Sequence, residues 1–245
     1  MKRLIAALML TATPAIALDL SAMTDTEKTA FGEAVRAYLM ENPEVLIESI
    51  NVLETRQAEA AAQTDVALVA ANRDALFDDG HSWVGGNPDG DLTIVEFIDY
   101  RCGYCRRVND DVHTSVEDDG NIRLILKEYP ILGQDSDTAS RFAIAVQQIA
   151  GDDAYLAAHH ALMEMRGTPS PTSLGAIARD IGVDGDEVLN RMNTESVTDV
   201  LRANRQLGDR MNIRGTPTFV IGDTMLRGVP HAGIAETIQA VRQGM

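Results

Sequence analysis

Apolar and polar positions follow two different periods along this chain, and the change falls near residue 79. From Thr24 the spacing is helical: Phe31, Val35, Tyr38 and Leu39 recur at three- and four-residue intervals, which lines them on one helix face. Thr24 and Glu27 form the capping-box pattern that starts such a helix. Asn42-Pro43 predicts a second start, with Asn as N-cap and Pro in the first turn. No Gly or Pro intervenes before about Phe77, so the pattern predicts a helix reaching about 50 Å. Leu46, Ile50, Leu53, Gln57 and Ala60 alternate four and three apart, a coiled-coil-like seam of about two heptads. Such a seam packs on another copy or on its own domain, and the pattern leaves both open.

Beyond Asp79 the period shortens. Gly85, Gly86, Asn87, Pro88, Asp89 and Gly90 form a turn cluster. Leu92 to Ile98 is a β-rich run, Val108 to Val116 has helical spacing, and Ile122 to Leu126 is a second strand, ending in Lys127-Glu128-Tyr129-Pro130. Strand, helix, strand in that order predicts a βαβ unit with parallel strands. About Ser136 to Met211 is helical in pattern, punctuated by Gly151, Gly167, Pro169, Pro171, Gly182 and Gly185. Strand signals return at Thr218 to Ile221, turn at Gly222-Asp223, resume at Thr224 to Arg227, and give way to a last helix at about His231 to Arg242. The sheet resumes after the helices, so residues 136–211 read as an insertion in one α/β domain.

The first residues add a compartment. Met1-Lys2-Arg3 is basic, Leu4 to Ile16 mostly apolar, and Ala15-Ile16-Ala17 a small-x-small site. These features predict a secretory signal peptide cut after Ala17, and hence a periplasmic protein in a compartment where disulfides persist. The organisation expected is 1–17 signal peptide, 18–78 helical segment, and 79–245 α/β domain with the helical insertion. Of 21 basic residues the leader removes Lys2 and Arg3, against 37 acidic ones, so the exported chain is more negative than the formal −16 of the whole. That field repels nucleic acid and anionic lipid, which are not expected partners.

Cys102 and Cys105 are the only cysteines in 245 residues. A bridge across two residues removes little entropy from the unfolded chain, so the pair is a poor staple and a good reaction centre. Exchange needs a thiolate that attacks and a second thiol that resolves. At a helix start, free N–H groups and the helix dipole stabilise the Cys102 thiolate. Cys105, one turn in, is the resolving thiol.

The strand–Cys-x-x-Cys–helix unit, the helical insertion and Gly215-Thr216-Pro217-Thr218-Phe219-Val220-Ile221-Gly222 resemble the DsbA family of thioredoxin-fold proteins over about residues 80–245. The run Tyr38-Leu39-Met40-Glu41-Asn42-Pro43-Glu44-Val45-Leu46 is similar to the helical N-terminal segment of ScsC-like members. The resemblance implies a thioredoxin fold with a helical insertion, preceded by a helical oligomerisation segment. It implies a thiol–disulfide oxidoreductase without a cofactor, acting on exported proteins with cysteines and recycled by a membrane redox partner. Gly103-Tyr104 is similar to the dipeptide of the isomerase DsbC, and Thr216 before Pro217 is isomerase-like, whereas DsbA carries Pro-His and Val at these places. The lean is toward isomerase or reductase; a DsbA-like oxidase and a Cu(I) carrier using Cys102 and Cys105 stay open.

The resemblance also implies that Glu96, six residues before Cys102, is a buried proton acceptor near Cys105, with Lys127 of the next strand beside it. It implies a cis Thr216–Pro217 bond that turns the Thr216 backbone toward the disulfide, where a substrate strand pairs, with Gly103 and Tyr104 flanking it. A homo-oligomer through residues 24–76 is the expected assembly. His81, His113, His159, His160 and His231 show no recognised ligand spacing with the cysteines, so no metal is expected beyond Cu(I) at the thiols.

Overall fold

The computed structural model describes residues 23–244; the signal peptide expected at 1–17 lies outside them. The chain divides into two compact units, one ending at Gln57 and one beginning at Ala58.

The first unit holds α1 (Asp25–Glu41) and the start of α2 (Glu44–Ala71). The expected capping box forms: Glu27 N–H donates to Thr24 Oγ1, and Thr24 N–H donates to the Glu27 carboxylate at 2.8 Å. Asn42 acts differently from expectation. It closes α1, its side chain donating to Tyr38 O at 2.9 Å, and α2 opens after Pro43. No residue of α1 is buried, and Phe31, Tyr38, Leu46, Ile47, Ile50 and Leu53 all lie exposed.

The second unit carries a five-stranded sheet in the order β1-β3-β2-β4-β5. The strands are β1 (Trp83–Gly86), β2 (Leu92–Ile98), β3 (Ile122–Glu128), β4 (Thr218–Ile221) and β5 (Thr224–Arg227). β2 and β3 are parallel, joined by α4 (Gly103–Asp119), and every other pairing is antiparallel. This is the expected α/β fold with a βαβ unit. β1 takes in Gly85 and Gly86, which the residues alone assign to a turn. Trp83 anchors the strand, its ring covering the α-carbon of Gly85, where any Cβ would collide. Likewise α2 stops at Ala71, and Arg73–Phe77 forms a separate turn of helix, α3.

β2 and β3 are near-continuous apolar runs because both faces are covered. Leu92, Ile94, Ile98, Ile122, Leu124 and Leu126 face one core, beneath α4 and the inserted helices. Val95, Phe97 and Ile125 face the other, against Val69, Leu76 and Leu207. The insertion is five helices: α5 (Gln134–Ala150), α6 (Asp152–Glu164), α7 (Pro171–Asp180), α8 (Gly185–Arg191) and α9 (Glu195–Arg210). The last helix, α10 (Ile234–Gly244), packs on α4. Among the described residues no helix is long and apolar enough to cross a membrane.

Candidate functional site

β2 ends at Ile98, and its last backbone groups deliver the cysteines to the start of α4. Asp99, fully buried, makes that corner. Its carbonyl accepts from Cys102 N–H at 3.0 Å. One carboxylate oxygen accepts from Arg101 N–H at 2.8 Å, and the other from Ile131 and Leu132 N–H at 2.8 and 3.0 Å. One side chain thus holds the cysteine turn and the loop after β3 together. Asp99 is not among the residues that the sequence singles out; its signal is an acid directly after an apolar strand and three residues before the first cysteine.

Cys102 is the N-cap of α4, with extended backbone (φ −75, ψ 116). Its sulfur lies 3.1 Å from Thr216 O, to which it donates when protonated, beside the cis Thr216–Pro217 bond that leads into β4. The Cys102 pKa falls to about 5. The hydrogen bond from the Cys105 thiol is the main cause, with the Cys105 N–H, Thr216 and the Tyr104 N–H adding to it against the opposing effect of burial. The same thiol–thiol bond, with burial and the nearby Glu96 carboxyl, pushes Cys105 far up. One sulfur is a thiolate at neutral pH and the other keeps its proton. Gly103 opens the helix with space where a Cβ would stand, and Tyr104 is exposed, its ring under the Arg107 guanidinium at 5.1 Å. Arg101 donates to Gly167 O at 2.8 Å and Arg106 to Met163 O at 2.6 Å. These contacts tie the end of α6 and the loop beyond it to the site.

Glu96 stands in β2 between Leu126 of β3 and Phe219 of β4, on the face that carries Cys105. Burial, and then the negative charge of Cys102, push its pKa up to about 8. Lys127 corrects an expectation. It pairs in register with Phe97, one residue out of step with Glu96, and so points to the opposite core. There it is fully buried, donates to Ala75 O at 2.8 Å and pairs with Asp79. Burial alone would raise the Asp79 carboxyl, but the hydrogen bond from His81 and the charge of Lys127 hold it well below its ordinary value. Lys127 latches α3 to the sheet; it does not sit beside Glu96.

A buried polar network lies on the cysteine face of the sheet. Glu128 Oε1 accepts from the Tyr100 and Tyr155 hydroxyls, each at 2.7 Å, and burial raises its pKa to about 7. The Tyr100 oxygen meets His159 Nδ1 at 3.2 Å. His159 lies beside His113 and His160, with ring centroids 5.6 and 5.5 Å away. The sequence separates these histidines between α4 and α6, so spacing alone does not reveal their meeting. A cavity of about 1020 Å³ lies at the other end of β2, lined by Arg73, Leu92, Arg123 and Glu236, away from the cysteines.

Comparison with known proteins agrees with this geometry. Residues 93–232 match the DSBA-like thioredoxin domain, and residues 27–60 match the copper resistance protein ScsC N-terminal domain. A thioredoxin-like oxidoreductase from Silicibacter pomeroyi is 39% identical, covering 71% of this chain and 97% of its own, with a TM-score of 0.64. Proteus mirabilis ScsC in a transitional conformation is 28% identical over 92% of this chain and 98% of its own, at a TM-score of 0.63. The Bacillus subtilis disulfide bond formation protein D is 25% identical over 172 residues, 65% of this chain and 76% of that protein.

Proposed function

Because this chain belongs to the DSBA-like thioredoxin-domain family, its chemistry is thiol–disulfide exchange, and we propose that it works as a disulfide isomerase or reductase on exported proteins in the periplasm. The observation that carries the reading is the asymmetry of the pair. Cys102 is ionised at a helix start beside the Thr216 carbonyl, while Cys105 is protonated behind it. A thiolate at about 5 falls between thioredoxin, at about 7, and DsbA, at about 3.5. That is a poise suited to attacking wrong bridges more than to driving oxidation. Gly103-Tyr104 and Thr216 support the same lean.

A substrate strand pairs beside Thr216 and Pro217, adding main-chain hydrogen bonds without sequence selectivity. Three exposed apolar side chains frame that place. Tyr104 follows Cys102 on α4, Leu132 hangs from the Asp99 carboxylate, and Val229 follows Gly228, whose N–H donates to Pro217 O at 2.9 Å. A membrane partner recycles the pair. The expected test result is a Cys102 alkylation rate that rises with pH around a midpoint of about 5, well below the free-cysteine value of about 8.5. Faster labelling of Cys105 at any pH would reverse the assignment of attacking and resolving thiols.

The exposed apolar stripes of α1 and the start of α2 support self-association, since leaving so many large apolar side chains in water forfeits about 25 cal/mol for each Å². The deletion that tests this ends at Gln57, because Val69 and Leu76 belong to the catalytic unit's core. Removing residues 23–57 is expected to give a monomer with unchanged Cys102 alkylation. Its repair of scrambled disulfides is expected to fall on the order of tenfold, as neighbouring thiols no longer act at high effective concentration. A monomeric full-length protein at micromolar concentration refutes the assembly, and undiminished repair separates assembly from isomerisation.

A further inference from the structure

His113 on α4 and His159 and His160 on α6 offer three imidazole nitrogens, all within 4.8 Å of one another. His159 is buried, while His113 and His160 are half-buried, so the cluster opens to solvent on one side. Eight residues separate His113 from Cys105 along α4, a rise of about 12 Å. The cluster is therefore separate from the thiols.

Both nitrogens of His159 have polar partners. A tyrosine hydroxyl has a single proton, and Tyr100 spends it on Glu128 Oε1 at 2.7 Å. Its oxygen lies 3.2 Å from His159 Nδ1. On the cluster side His159 Nε2 faces Asn109 Oδ1, an acceptor, at 2.7 Å, so the metal-free ring carries a proton there that a bound ion displaces. With an ion on Nε2 the ring proton moves to Nδ1, where Tyr100 and Glu128 supply the hydrogen-bond chain ending on a carboxylate that typically backs a metal-bound histidine. Asn109 bridges the two rings, its Oδ1 2.7 Å from His159 Nε2 and its Nδ2 3.4 Å from His160 Nδ1. Asn109 also reaches Asp110 Oδ1 at 3.2 Å.

We infer that His113, His159 and His160 form a binding site for one borderline first-row transition-metal ion, with Zn(II) as its representative, independent of the Cys102–Cys105 pair. Three imidazoles with an open fourth side suit such a cation better than Mg²⁺ or Ca²⁺, which take oxygen ligands. A metal–nitrogen distance of about 2.0–2.1 Å brings the three nitrogens to about 3.4 Å apart. The two half-buried rings turn inward by about 1 Å, and the ion takes the place the Asn109 amide now holds between His159 and His160.

The test uses the mature full-length chain carrying Cys102→Ser and Cys105→Ser, which removes the thiols as competing ligands. Zn(II) titrated calorimetrically is expected to bind at one equivalent per chain. Co(II) is expected to give a tetrahedral visible spectrum without a thiolate charge-transfer band. Adding His113→Ala and His160→Ala, both half-buried changes, is expected to abolish binding while the circular dichroism stays native. Tyr100→Phe, which frees the Nδ1 proton of its acceptor, is expected to weaken Zn(II) about tenfold. No binding by the double-serine chain, or equal binding after loss of His113 and His160, overturns the site. Neither result bears on thiol exchange.

Discussion

Replacing Cys102 with serine is expected to reduce disulfide exchange by more than about 10³-fold, to background, because no other thiolate is present to attack. Cys105→Ser loses turnover for a different reason. Its Cys102 still attacks, and the substrate stays attached as a mixed disulfide that nothing resolves. Non-reducing gels separate the two: the first variant shows no adduct, and the second accumulates one that dithiothreitol releases. The pH dependence follows from the Cys102 value of about 5. At pH 7 about 99% of Cys102 is thiolate, so attack is flat from pH 7 to 9 and falls tenfold per pH unit below 5. The folded pKa lies below the ordinary 9.0. The reduced folded form therefore gains stability that is complete above about pH 9 and lost as pH falls through about 5. The disulfide form gains none, so oxidised and reduced proteins should differ least in stability at acid pH. An attack rate that keeps climbing between pH 7 and 9 would mean that the Cys105 thiol and the helix start do not hold the thiolate.

Some of this is legible in the residues alone, and the boundary is physical. The Leu92–Ile98 and Ile122–Leu126 runs announce buried parallel strands because β-branched and apolar residues fill both faces of such strands. The cysteines announce the chemistry through their spacing. Lys127 falls on the unexpected face because the side-chain period of a strand is two, and a position one residue out of register changes face. Nothing in the residues themselves fixes that register; the pairing of Glu96 with Leu126 does. Gly85 and Gly86 look like turn residues, yet Trp83 folds its ring over Gly85 and keeps both in a strand. The ends of α1 and α2 show the same limit, since Asn42 has the chemistry to cap either helix. Asp99 and the three histidines are invisible for a shared reason. Their partners lie 32 to 47 residues away in sequence and meet only once α4, α6 and the loop after β3 are packed.

Glu96→Gln is expected to stabilise the protein while slowing it. A carboxyl between Leu126 and Phe219 has its pKa raised from 4.5 to about 8 by burial and by the Cys102 charge. Below about pH 4.5 the folded and unfolded chains both hold that proton, and Glu96 does not affect stability. As pH rises to about 8 the unfolded chain ionises first, so stability falls across that window. Above it the penalty reaches about 5 kcal/mol, since each tenfold difference in proton affinity between the folded and unfolded chains is worth about 1.36 kcal/mol. The glutamine variant should therefore melt higher than the native protein at pH 8 and equally at pH 4. The same carboxyl has work to do in resolution. When Cys102 enters a mixed disulfide its charge disappears, and its share in raising the Glu96 pKa goes with it. Glu96 then ionises more readily beside the protonated Cys105, takes its proton, and frees that sulfur to attack. Losing a positioned base costs about 10² in rate, so single-turnover release of substrate from the mixed disulfide should slow by that factor. The alkylation rate of Cys102, an earlier step, should change far less. Equal slowing of both steps would place Glu96 in tuning Cys102 instead of relaying the Cys105 proton. A glutamine variant that melts no higher at pH 8 would show that the native carboxylate is already ionised, removing the basis for the relay.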